Sequence, residues 1–490
     1  MKRLTTTLLA GAAAIAFATA ANAAHPDSSG NSQQGASQGA NDAKIQQLEQ
    51  DIQDLNAQVQ DLKRSTADQY SDVQKTVSAN NTGGVKVSIN NGRPTITGPD
   101  FTFALRSLVQ YDSAYYGQGK LPAGTDFSSG NDFRRARFGF DGTAFDVWSY
   151  TFIYDFGGSS TETSTIASAY LQYNGLGPVH IKAGAYPAPE SLDDATSASD
   201  LLFLERAQPT DMARSMAGAD GRDAATIFYY DDNAFAAASY TGGVVGDAAN
   251  FDEQQAAVGK LAYRFNLGED TNFVLGADAT DIFKFADAAA GGNSPTPIRF
   301  RERPELNVDS EAIRLIDTGS LTADSAWEYG LEAAGNVKNF YAQGGYFGYG
   351  AERHASTLAD PNFDGWYVQA SWVLTGESKK YKPELGAYGI PKPAQNFTLD
   401  KGGWGAWELA ARYSDLDLNY NAGTAGLATP TGGIRGGDQR IWSAGINWYP
   451  NQVLRFMLDY QHVDVSRLSS TGGSLDATLD DVSLRLQFAL

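Results

Sequence analysis

The sequence predicts an all-β fold, an antiparallel transmembrane β-barrel of about 16 strands preceded by a short N-terminal coiled-coil helix. Three observations predict it. From Gly84 to Leu490 the apolar residues recur with period two, the repeat of a strand with one apolar and one polar face. Strand ends carry Tyr, Trp and Phe, as in "GINWYPN" and "YLQYNGLG", which suits the interfacial girdles of a membrane barrel. The chain has 24 Tyr, 25 Phe and 52 Gly, yet after the N-terminus it holds no run of roughly 18 apolar residues, so strands and not helices must cross any bilayer.

The elements follow in order. "MKRLTTTLLAGAAAIAFATAANAA" has a basic start (Lys2, Arg3), a short apolar run and the small-x-small pattern Ala21-Asn22-Ala23, so residues 1–23 read as a cleaved signal peptide. Residues 24–40 are rich in Ser, Gly and Gln and read as a flexible linker. Within 41–80, Ile45, Leu48, Ile52, Leu55, Val59 and Leu62 are spaced 3-4-3-4-3, the seam of a short periplasmic coiled coil. The same spacing also fits an amphipathic helix packed on its own barrel.

In the barrel domain, 84–490, "WSYTFIYDF" puts Trp148, Tyr150, Phe152, Tyr154 and Phe156 on one face, opposite Ser149, Thr151, Ile153 and Asp155. "RRARFGFDG" sets Phe138 and Phe140 against Arg135 and Arg137, and "SLRLQFAL" sets Leu484, Leu486 and Phe488 against Ser483, Arg485 and Gln487. A soluble sandwich also alternates, but it fills its core mainly with aliphatics.

Composition excludes several functions. The chain has no cysteine, so disulfides and thiolate metal sites are absent. Its formal net charge is -20, which argues against a nucleic-acid partner. Four scattered histidines, and no HExxH, P-loop or GxSxG, leave no catalytic constellation, so neither an enzyme nor a metal or cofactor is expected. Asp459, His462 and Asp464 in "LDYQHVDVS" read as a solvated strand, and Asp415 and Asp417 in "YSDLDLN" as part of a lumen wall.

One stretch runs against the acidic balance. "RFRER" places Arg299, Arg301 and Arg303 at alternate positions, so an extended chain stacks three guanidinium groups on one face. Such a row either lines a passage for anions or, neutralised by Glu302 and Glu305, solvates a loop.

Together, "FRRARFGF", "SLDDATSASDLLFLERAQP", "IRFRERPE", "WVLTGESKKYKPELGAYGIPKP", "GAWELAARYSDLDL" and "GINWYPN" resemble the phosphate-selective porin O/P family over roughly Asp100 to Leu490. The resemblance implies a homotrimer of 16-stranded barrels in the bacterial outer membrane, embedded in its lipid, with a third loop folded into each lumen. It also implies passive diffusion of small anions such as phosphate or polyphosphate. By the same resemblance the inward loop contains Asp194, Ser197, Ser199 and Arg206, and Arg206 matches a constriction arginine. Arg134 and Arg135 match paired arginines, of which period two puts Arg135, with Arg137, on the polar face. Arg299, Arg301 and Arg303 match a ladder leading to the mouth. Asp194 and Ser199 stand where phosphate-selective members carry lysines, and Leu108 where they carry an arginine, with Arg106 one pleat away. The alternative is a general, weakly selective porin whose coiled coil has a structural role in the envelope.

Overall fold

A computed structural model describes residues 50, 52–68, 70–71, 84–90, 92–157, 164–246, 252–292, 294–400 and 402–490. The signal peptide, the linker, Ile45 and Leu48 lie outside these residues. The chain divides into two units, Met1–Asn80 and Asn81–Leu490. In the first, residues 52–68 form helix α1, and its apolar seam is open: Ile52, Leu55, Val59 and Leu62 are 45–70% exposed.

The second unit begins with a hairpin of β1 (Lys86–Asn90) and β2 (Arg93–Thr97). The first barrel strands are β3 (Thr102–Gln118), β4 (Gly130–Ala144), β5 (Trp148–Asp155), β6 (Thr165–Leu176) and β7 (Val179–Ala185). Helices α2 (Leu192–Ala195) and α3 (Gln208–Ala217) follow, then β8 (Arg222–Tyr230), β9 (Ala234–Val244), β10 (Gln255–Gly268) and β11 (Thr271–Lys284). After the short pair β12 (Arg301–Glu302) and β13 (Ile316–Asp317) come β14 (Ala323–Val337), β15 (Phe340–Arg353) and β16 (Asn362–Val373). A second short pair, β17 (Tyr381–Lys382) and β18 (Ala387–Tyr388), precedes β19 (Ala406–Tyr420), β20 (Ile434–Tyr449), β21 (Leu454–Ser466) and β22 (Ala477–Ala489).

Sixteen of these, β3–β11, β14–β16 and β19–β22, pair antiparallel with their neighbours, and β22 returns to β3 from Leu479↔Gln118 to Ala489↔Leu108. The ring is closed, so it has no free edge, as a membrane-spanning sheet requires. The alternation is inside out relative to a soluble protein. On β22, Val482, Leu484, Leu486 and Phe488 are exposed, while Asp481, Ser483, Arg485 and Gln487 are buried. Lipid solvates the first face and the second lines the lumen.

Three segments fill that lumen. The first joins β7 to β8 (186–221), and Leu201, Leu202, Phe203, Leu204, Met212 and Ala213 in it are buried. The wall makes room for it with glycine: a Cβ at Gly276 would sit 3.0 Å from Leu192, and one at Gly445 would sit 3.2 Å from Phe203. The second segment joins β11 to β14 (285–322) on the same rim. The third, between β16 and β19 (374–405), enters from the opposite rim, where the other connections are short turns.

Candidate permeation pathway

The β7–β8 segment, the third loop of its rim, is tied to the wall by charge. Arg485 on β22 holds Asp112 on β3 through two hydrogen bonds of 2.6 Å and also reaches Glu205 at 3.1 Å. Arg134 on β4 grips the same Glu205 carboxylate at 2.7 and 3.1 Å. Burial alone would raise the Glu205 carboxyl, but Arg134, Arg135 and Arg485 outweigh burial and hold it well below the usual range. Further along, Gln208 donates from its backbone to Glu305, and the Leu204 amide donates to Asp459 at 2.9 Å. From below, Lys382 of the β16–β19 segment pairs with Asp200 at 2.6 Å.

A cavity of ≈ 270 Å³ lies between the loop and the arc of wall from β3 to β9. Six basic side chains line it, Arg106, Arg135, Arg137, Lys182, Arg206 and Arg214, against three acids, Asp194, Asp220 and Glu384. Asp194 is held by Arg214 at 2.7 Å, and Asp220 by Arg214 at 2.8 Å and by Arg137. Burial would raise the Asp220 carboxyl, yet Arg137, Arg214 and Arg135 hold it far below the usual range. The same two acids, working against burial, raise the Arg214 guanidinium. The carboxylate at 194 therefore arrives with a cation of its own.

The predicted site residues divide between this cavity and the rim. Arg135, Arg137 and Arg206 line the cavity. Arg135 donates to Gln110 at 2.8 Å and has no carboxylate within ion-pair distance among the described residues. Arg137 donates to Asp155 at 2.7 Å. Arg206 spends its guanidinium on the loop, donating to the carbonyls of Asp194 and Thr196 at 3.0 and 2.8 Å. Ser197 and Ser199 bond each other through their hydroxyls at 3.0 Å, Ser197 being exposed. Leu108 lies across from Arg137 in the β3–β4 pair, and Arg106 pairs with Asp141 at 2.7 Å.

Arg299, Arg301 and Arg303 lie in the β11–β14 segment. The chain there is extended, with Ile298 bridged to Leu321 and β12 paired with β13. Phe300 and Glu302 are buried, Arg299 and Arg301 exposed and Arg303 half-buried, so the alternation holds. Glu302 and Glu305 do not neutralise the row: neither forms an ion pair with it, and Glu305 pairs with Arg412. Asp317 takes Arg299, Asn307 takes Arg303, and Arg301 makes no ion pair with a described residue. Arg299 also lines a second cavity of ≈ 300 Å³, with Arg222 and Ser215.

Three expectations need correction. Arg134 also turns inward, because the β3–β4 register shifts between Gln110 and Tyr111 and leaves Arg134 as the extra residue of a bulge. Asp415 and Asp417 stand on the outer face of β19, since Glu408, Arg412, Ser414 and Leu416 take the inner one; Arg440 pairs with Asp415 there. The strand holding Asp459, His462 and Asp464 is not solvated throughout: Asp459 is buried in the lumen, while His462 pairs with Asp480 at 2.8 Å on the outside.

The sequence pattern of the family described as Phosphate-selective porin O and P matches residues 103–490. The chain belongs to this family. As a member it is a porin of the bacterial outer membrane, a β-barrel channel. Porin O of Pseudomonas aeruginosa is 25% identical to it over 413 residues, covering 80% of this chain and 89% of that one. An uncharacterised protein of Caulobacter vibrioides is 28% identical over 386 residues, 76% and 71% of the two chains. Among solved structures, the anion-selective porin from Comamonas acidovorans aligns over 80% of this porin and 100% of its own chain, with 13% identity and a TM-score of 0.48.

Two features of the pathway lay outside the sequence reading. The inward course of 374–405 leaves no mark in periodicity, although its length is unusual for the short-turn end of a barrel. Lys182 had a signal, since it alternates with His180 on the inner face of β7.

Proposed function

We propose that this porin passes small anions by passive diffusion, inorganic phosphate among them, with the cavity beside the third loop as its selectivity filter. The charge imbalance there carries the reading. Six cations face three acids, and two of those acids are already held by arginines. Local potential rather than the overall charge of -20 governs what enters a narrow aqueous passage. Guanidinium groups suit the task because they stay charged and bind oxyanions in bidentate fashion. Arg135, Arg137 and Arg206 act at the filter, and Arg299, Arg301 and Arg303 feed it from the rim. The family's description as phosphate-selective supports the same reading.

Titrating phosphate against the chloride current of single channels in a planar bilayer tests the filter. Phosphate is expected to block, and Arg135→Ala to relieve the block by about tenfold, the loss of one charge-assisted contact. Block unchanged by the substitution would remove Arg135 from the filter.

A second proposal concerns residues 41–80. The open seam of α1 favours association with the same helix of two other copies, which makes the segment a trimer-stabilising coiled coil. Deleting 41–80 is expected to leave single-channel conductance unchanged and to lower the temperature at which the oligomer dissociates in native gels. An unchanged dissociation temperature would reject that role.

A further inference from the structure

The filter cavity has two chemically different ends. At the β3–β4 end stand Arg106, Arg135 and Arg137; at the β6–β9 end, Tyr170, Tyr186, Phe228 and Phe235. Lys260, which does not line the cavity, lies 5.3 Å from the Phe235 ring centre, and Lys182 sits among the other three rings. Its Nζ lies 4.6 Å from the Tyr170 ring centre, 4.9 Å from Tyr186 and 5.3 Å from Phe228. The ammonium makes no ion pair or hydrogen bond with any described residue, although the Lys182 carbonyl accepts from the Tyr186 hydroxyl at 3.1 Å.

This arrangement suits inorganic phosphate poorly. Phosphate surrenders a tight hydration shell and needs donors converging on several oxygens. Most donors here are committed: Arg137 to Asp155 and Asp220, Arg214 to Asp194 and Asp220, and Arg206 to two carbonyls of its own loop. Arg135 and Lys182 are the lining cations with no carboxylate within ion-pair distance, and aromatic carbon flanks the second. A carboxylate on a flat apolar body matches both features, with its charge on a cation and its ring against the aromatic end.

We propose that the filter prefers carboxylates bearing an aromatic ring, both over inorganic phosphate and over carboxylates without a ring, and that Lys182 in its aromatic cage sets this preference. The inference rests on the anion-channel reading above and narrows it.

The test compares benzoate, acetate and inorganic phosphate as blockers of the chloride current through the full-length protein in planar bilayers. Benzoate is expected to block at about tenfold lower concentration than acetate, the worth of one aromatic contact with a cation, and phosphate no better than acetate. Lys182→Met should abolish benzoate's advantage and Lys182→Arg retain it. If Lys182→Met yields no channels, Phe235→Leu decides the matter, because it is expected to shrink the gap between benzoate and acetate. Equal block by benzoate and acetate, or strongest block by phosphate, in a channel that still prefers anions overturns this inference alone. A channel with no preference for anions overturns the underlying reading as well.

Discussion

Arg485, buried in the lumen wall, joins three parts of the chain: its own strand β22, β3 through Asp112, and the third loop through Glu205 and the Leu204 carbonyl. Replacing it with Met leaves Asp112 without its ion-pair partner and Glu205 with one fewer. The expected cost is about 3–5 kcal/mol, the penalty for breaking a buried pair, read as a lower denaturant midpoint of the folded barrel in detergent. Asp194 works in the other sense. Arg214 is shared between Asp194 and Asp220, so Asp194→Ala removes one negative charge beside the cavity, leaves Arg214 paired with Asp220 alone, and is expected to increase anion preference in a reversal-potential measurement. Much of this level was legible in sequence. Alternation alone put Arg135, Arg137 and Arg485 on the polar face. The inward turn of Arg134 was hidden because a bulge breaks the period, and Arg485 and Asp112 are 373 positions apart.

The third loop is the element that narrows a wide barrel, and two of its carboxyls give it opposite pH sensitivities. Glu205 titrates well below the ordinary range, so its contribution is fully present above the unfolded value, about 4.3, and is lost only as pH falls through the depressed folded value. Glu190 is raised, first by burial and then by Asp194 and Asp278. What it contributes is present below its unfolded value and fades as pH rises through the raised folded one. Open-channel noise is therefore expected to grow on the alkaline side, and Glu190→Gln to suppress that growth; equal noise in both proteins would clear Glu190 of the effect. The loop's inward course rested on family resemblance, because the apolar run Leu201–Leu204 has no period that distinguishes a lumen plug from a core strand. The glycines that receive it, Gly276 and Gly445, look like ordinary strand glycines in sequence.

At the scale of the whole chain the charges of an acidic protein are sorted by place, which is what the proposed anion pathway requires. Arginines and a lysine face the narrow cavity, while Asp364, Asp415 and Asp417 stand on the outer face. Fold class followed from period-two patterning, since a strand with an apolar outer face and a charged inner one has few homes besides a membrane barrel. Selectivity did not follow, because it depends on which carboxylates are paired, and pairing is decided across the lumen. The most direct measurement is the zero-current potential of the purified porin under a potassium chloride gradient. A potential displaced toward the chloride equilibrium value, and moved back toward zero by Arg135→Ala, is the expected result. A potential near zero or displaced toward potassium in the unaltered protein would contradict a cationic filter.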